Sequence, residues 1–176
     1  MQQIAAAAQA GPTWREPRAM RREYELRAGE RLVATLAFRS AWGTLATGES
    51  ADGCWSFKRV GFWRPRVTVR RCGSPDDMAT FEHDTWTGGG TLARADGRAY
   101  RITTNTWQTK LAVLDGQERP LLHYATEGWL RLGAALRVEP RALAQADLPW
   151  LALFGWYAVV MLHQDAATTA ATTAAT

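Results

Sequence analysis

Apolar and polar side chains alternate with a period of two through most of the chain between about residues 22 and 139. Leu32, Ala34, Leu36 and Phe38 fall on one side of an extended segment, with Arg31, Thr35 and Arg39 among those on the other. That is the pattern of a strand with one face in a core. Trp55 and Phe57 alternate with Ser56 and Lys58, and Val67 and Val69 with Arg66, Thr68 and Arg70. Further along, Tyr100 and Ile102 oppose Arg101 and Thr103, Leu130 and Leu132 oppose Arg131, and Leu136 and Val138 oppose Arg137. Asp52-Gly53, Asp96-Gly97 and Asp115-Gly116 each sit between such runs. Asp-Gly supplies the positive φ of a tight hairpin, so three hairpins are expected there.

The period breaks at Leu148. From Leu148 to Leu162 the residues read as a helix, with Trp150, Leu153, Phe154 and Tyr157 on one side and Leu151, Ala158, Val159 and Leu162 filling the others. A helix apolar all round is buried all round. Pro149 fits its first turn, Asp147 can offer a capping oxygen, and Gly155 lets a strand or a large side chain come close. At ~1.5 Å per residue such a run reaches roughly 22 Å, short of the ~30 Å hydrocarbon layer, so it reads as a core helix and not a membrane span.

The expected architecture is therefore mainly β: a closed antiparallel β-barrel around one buried apolar C-terminal helix. Residues 22–165 form a single domain with its helix at about 148–162. Residues 24–83 and 91–139 are each strand-rich, a faint duplication with no linker between the halves. Residues 1–21 have no sustained period, and residues 166–176 are only Ala and Thr; both read as disordered tails.

Composition adds little. The formal charge of +4 comes almost wholly from arginine, as Lys58 and Lys110 are the only lysines. Nucleic acid is disfavoured at so modest a charge. Cys54 and Cys72 form no CxxC and have no nearby His pair, so reduced structural thiols and no metal site are expected. The N-terminus lacks a basic stretch and a long apolar one, which points to a cytoplasmic protein.

Element order, the hairpin turns and the segment Leu148-Pro149-Trp150-Leu151-Ala152-Leu153-Phe154-Gly155-Trp156-Tyr157-Ala158-Val159-Val160-Met161 resemble the tubby C-terminal, LURP-one-related and phospholipid scramblase-like group. The likeness spans roughly residues 22–166. It implies a closed barrel around a central helix. It also implies a non-catalytic module, which in tubby-like members recognises phosphoinositides through basic residues on the barrel exterior. No acidic loop resembles a calcium site and no cysteine cluster resembles the palmitoylated one of scramblases, so scramblase activity is not carried over.

Candidate chemistry is sparse. His83 and Asp84 are adjacent after Glu82, but neighbouring strand residues point to opposite faces, so a catalytic pair would need a loop. Gly88-Gly89-Gly90 lacks the Lys and helix of a phosphate loop and reads as a bend or strand crossing. His163 closes the apolar helix, where it can meet the helix dipole. No catalytic residue, cofactor or enzyme activity is expected. Trp42, Trp55, Trp63, Trp86, Trp107 and Trp129 are scattered through the β region and read chiefly as core wedges; an exposed aromatic set is the alternative, with Phe62-Trp63 its best candidate. The segment from Lys58 to Arg71 is the one basic strip. With Val67 and Val69 inward, Arg66 and Arg70 share the outer face, beside Lys58, Arg59 and Arg64 on the adjoining hairpin. Lys58, Arg59, Trp63, Arg64, Arg66 and Arg70 are accordingly the candidate lipid-binding residues, set against plain solvation of an exterior strand. The expected partner is an anionic phospholipid surface met peripherally, and the alternative is a protein-interaction or structural domain with no lipid role.

Overall fold

A computed structural model describes residues 1–18, 21–84, 89–127 and 131–174. Twelve antiparallel strands close into one barrel. They are β1 (Thr13–Arg15), β2 (Glu23–Ala28), β3 (Arg31–Phe38), β4 (Ala46–Ser50), β5 (Gly53–Val60) and β6 (Arg66–Arg71). The circuit continues through β7 (Ala79–His83), β8 (Gly90–Arg94), β9 (Ala99–Thr104), β10 (Lys110–Leu114), β11 (Pro120–Glu127) and β12 (Gly133–Val138). Each strand pairs with its neighbours in sequence, and β1 closes the ring between β12 and β2. Closure removes both sheet edges, which would otherwise carry unpaired N–H and C=O groups.

The inward positions are those that alternation marks. Leu36, Phe57, Val69, Leu92, Ile102 and Val113 are all at most 2% exposed. Strand β3 departs by one residue. Its pairing with β2 shifts after Leu26, so that Arg27 faces Leu32. The extra residue is Val33, which is fully buried while Leu32 is only half-buried; a β-bulge re-aims the side chains on either side of it. Of the strand expected at Leu130–Leu132, the described residues are not extended in the sheet. Arg131 and Leu132 belong to the connection before β12, and Leu130 lies outside the described residues.

All three Asp-Gly pairs sit at hairpins, joining β4 to β5, β8 to β9 and β10 to β11. Gly97 takes the expected positive φ of 87°, whereas in the third turn the left-handed residue is Glu118, at 59°. There the Asp115 carboxylate accepts the backbone N–H groups of Gln117 and Arg119 at 2.9 Å each and fixes the turn itself.

Through the barrel runs helix α2 (Leu148–Ala174), and every residue from Trp150 to Met161 other than Gly155 is at most 8% exposed, with Gly155 also buried. Its aromatic side chains interlock with the wall: Trp156 stacks on Trp14 at 5.3 Å, Tyr157 on Phe38 at 5.6 Å, and Phe154 meets Phe81 edge-on at 5.4 Å. A Cβ on Gly155 would lie 2.5 Å from the hydroxyl oxygen of Tyr124, so here a large side chain does come close. That hydroxyl donates to the carbonyl of Ala152 at 2.7 Å.

Three expectations are corrected. The segment expected as a disordered tail over residues 1–21 is structured at least through residue 15: α1 (Ile4–Ala7) buries Ile4 and Ala7, and Trp14 of β1 is 1% exposed. Two isolated apolar residues among Ala, Gln and Pro carry no period, and it is barrel closure that gives them partners. The helix does not end at 162, nor do residues 166–174 form a disordered tail. The helix continues because the buried turns have already met the cost of nucleation. The hydroxyls of Thr168, Thr169, Thr172 and Thr173 donate to carbonyls four residues back. Finally, Cys54 and Cys72 are not free thiols but a disulfide, with Cα atoms 5.4 Å apart. The hairpin register sets Cys72 opposite Cys54, the Cys72 N–H donating to the Cys54 carbonyl at 3.1 Å. The thiols therefore give no reason to expect a reducing compartment.

Candidate functional site

Strands of alternating direction send their connections alternately to two ends of the barrel, and the ends differ in chemistry. Helix α2 enters at one end, where the connections and the segment before the helix hold nine acids: Glu30, Asp52, Asp76, Asp77, Asp96, Asp115, Glu118, Glu139 and Asp147. Arg98, Arg119 and Arg141 lie in the same connections, and the strands bring Arg70, Arg94, Arg101 and Arg137 to pair with Asp77, with Asp96 and Asp147, with Glu118 and with Glu139. At the end where α2 leaves, the connections hold Arg18, Arg21, Arg22, Arg39, Arg64 and Arg131 against Glu16 and Asp84.

The entry end is structural. Asp147 is 5% exposed, and its carboxylate accepts from the guanidinium of Arg94, from the Tyr100 hydroxyl at 2.5 Å and from the Trp150 indole at 3.1 Å, with Arg98 at 3.3 Å. The expected role was a helix cap; instead the carboxylate is spent on side chains from β8, the β8–β9 turn, β9 and the helix. Burial alone would raise its pKa, but the hydrogen bonds from Tyr100, Trp150 and Arg94 outweigh burial and hold it below the usual carboxylate range. Exposed Asp96 is drawn down to about 2, chiefly by the hydrogen bond from Arg98. Asp147 thus pins the helix to the wall.

The basic strip is only partly assembled. Arg59 lies at an inward position of β5 and turns into the barrel mouth, where it forms a two-pronged pair with Asp165 of α2 at 3.0 and 2.7 Å. Arg70 is on the outer face as expected but pairs with Asp77 at 2.5 Å. Both arginines are thereby withdrawn from the candidate set as available charges. Lys58, Arg64 and Arg66 remain exposed, with Arg66 directly opposite Glu82 of β7. Trp63 is 90% exposed at the tip of the β5–β6 hairpin, edge-on to Phe62, itself 88% exposed.

The tryptophans divide otherwise than expected. Trp55 is a core wedge at 3% exposure, but Trp42 and Trp107, at 97% and 83%, stand in water with Trp63. Trp86 and Trp129 lie outside the described residues. Trp42 and Trp107 were missed as surface residues, although their neighbours Ser40-Ala41-Trp42-Gly43-Thr44 and Asn105-Thr106-Trp107-Gln108-Thr109 offered a signal: neither run has an apolar residue two positions away. Also missed was Arg22, only 8% exposed with φ +51°. It donates to the carbonyls of Ser40, Ala41 and Gly43 at 2.8–3.0 Å and to the Gln164 side chain at 2.9 Å. The Tyr157 hydroxyl adds a bond to the Thr44 carbonyl at 2.8 Å. The loop bearing Trp42 is therefore tied to the helix from beneath.

Other candidates come to little. His83 is exposed at the barrel mouth with its ring edge-on to Phe81, and His163 does not close the helix, which runs eleven residues further. Gly88 lies outside the described residues; Gly90 opens β8 opposite His83, and side chains at Gly89 and Gly90 would run into the Ile102 and Glu82 carbonyl oxygens, so the close approach of strands requires glycine here. Among the described residues no His, Cys, Asp and Glu cluster could hold a metal, and no helix is long and apolar enough to cross a membrane. No family model, curated protein or solved structure matches the chain.

Proposed function

We propose that this barrel is a non-enzymatic module that binds the surface of an anionic phospholipid membrane, as the likeness to the tubby-like group implies. The observation that supports it is the β5–β6 hairpin. Its tip exposes Phe62 and Trp63 to water, with Arg64 beside them, and exposed Arg66 and Lys58 on the strands below. Amphipathic rings favour the headgroup level of a bilayer, and each nearby basic residue contributes ~1 kcal/mol at an anionic surface. The combination gives one short segment both an apolar anchor and a charge preference.

Co-sedimentation of the full chain with vesicles of phosphatidylcholine and phosphatidylserine, across salt, tests it. Reversing Arg64 and Arg66 to Glu should weaken binding at low salt by ~30-fold or more, the scale of two surface charges inverted, and leave the melting temperature nearly unchanged. Absence of binding by the unaltered protein at low salt, or equal binding by the double variant, would remove the lipid function in favour of a protein-interaction or structural role.

A further inference from the structure

We propose that the barrel docks end-on, with the end from which α2 emerges set against the anionic bilayer interface and the end at which it enters directed away. This rests on the lipid-binding reading above and goes beyond it by naming the surface and the orientation.

The exposed aromatic residues are the first reason. Among the described residues, Trp42, Phe62, Trp63 and Trp107 are the large aromatic side chains left in water, at 83–97% exposure. They come from three connections: β3–β4, β5–β6 and β9–β10. Strand alternation puts all three at the same end, spread over the eight consecutive strands from β3 to β10. Docking through the β5–β6 hairpin and the barrel side would leave Trp42 and Trp107 in water with nothing to cover them. A flat apolar boundary across the barrel end covers all four, with indole N–H groups at headgroup level.

Charge is the second. The connections of the aromatic end carry six arginines, of which only Arg22 is buried, against two acids, whereas at the far end Asp77, Asp96, Glu118, Glu139 and Asp147 are paired with arginines of the strands. The excess of arginine therefore sits at the aromatic end, and that is the end an anionic surface attracts. A symmetric pair of two such ends would set the same arginines against one another, so an anionic bilayer is the occupant that fits this end.

Two further features agree. Arg22 is spent on holding the Trp42 loop through three carbonyls, so that ring stands on a built platform. The projecting part of α2 does not oppose close approach to lipid. Its one acid, Asp165, is paired with Arg59, and its threonine hydroxyls donate to its own carbonyls. Donors satisfied within the helix lose little on leaving water.

The test compares separate variants of the full chain on phosphatidylcholine–phosphatidylserine vesicles, with thermal melting as a folding control. Trp42→Ala and Trp107→Ala should each weaken binding by ~5-fold or more, the scale of withdrawing one large apolar side chain from a partly apolar contact. Asp76→Lys at the far end should leave binding within about 2-fold, because a strand length of roughly 20 Å exceeds the ~10 Å screening distance at 0.1 M salt. If both Trp variants bind like the unaltered protein while Arg64→Glu with Arg66→Glu does not, docking is side-on: the orientation is overturned and the lipid function stands. No vesicle binding by the unaltered protein overturns both, and a self-association abolished by Trp42→Ala would assign the surface to a second copy instead.

Discussion

Replacing Asp147 should be the most damaging single polar change in the molecule. The residue is 5% exposed, and its carboxylate is approached by Arg94, Tyr100, Trp150 and Arg98. Asp147→Ala would leave the Arg94 guanidinium, whose side chain is only 18% exposed, with Asp96 at 3.0 Å as its remaining carboxylate partner. Breaking a buried ion pair by removing one member typically costs ~3–5 kcal/mol, and the total stability of a domain is ~5–15 kcal/mol. Asp147→Asn keeps an acceptor but not the charge and should cost about half as much. For a chain of this size each kcal/mol is ~2–4 °C of melting temperature, so Asp147→Ala should melt roughly 6–20 °C lower. The pH dependence is a second readout. Because the folded pKa of Asp147 lies below its unfolded value near ~3.9, its contribution is present above that value and is lost as pH falls through the folded pKa. Urea unfolding from pH 7 to 2 should therefore show the unaltered protein and the Asn variant converging in stability as the pH drops below ~4. Asn and Ala variants within ~0.5 kcal/mol of the unaltered protein at pH 7, or a gap that does not narrow in acid, would refute the pinning role.

Two further outcomes follow from the packing. Gly155→Ala drives a methyl group into the Tyr124 ring, whose nearest atoms lie 2.5–2.6 Å from the Cβ position, and should lower stability by ~1–3 kcal/mol in urea titrations. Reduction of the Cys54–Cys72 bond, which closes a loop of 18 residues, should cost about 3 kcal/mol and lower the melting temperature in dithiothreitol; alkylation and mass analysis of the unreduced protein should find no free thiol.

The barrel and its helix were legible because each rests on local order. Alternation at Phe57, Val69 and Ile102 follows from the pleat, and a run such as Leu151 to Met161 with no polar stripe has nowhere to go but inside a wall of strands. Asp-Gly turns marked three hairpins by backbone chemistry alone. The bulge at Val33 and the three-residue strand around Trp14 were not legible, because each exists only through the register of strands beside it.

The charged residues show the same division more sharply. Sequence alone identifies Arg59, Arg66 and Arg70 as a basic strip and Asp147 as a helix-terminal acid. It cannot say which of these charges is already answered. Asp165 is 106 residues from Arg59, Arg94 is 53 from Asp147, and Gln164 is 142 from Arg22. Those meetings are made by closure of the ring and the threading of α2 through it, as are the opposition of Cys54 to Cys72 and the gathering of Trp42, Trp63 and Trp107 at one end. A strand or a buried helix is determined by which of its own faces is apolar, within a few residues along the chain. A pair, a disulfide or a surface depends on distances between segments, and only the tertiary structure decides those.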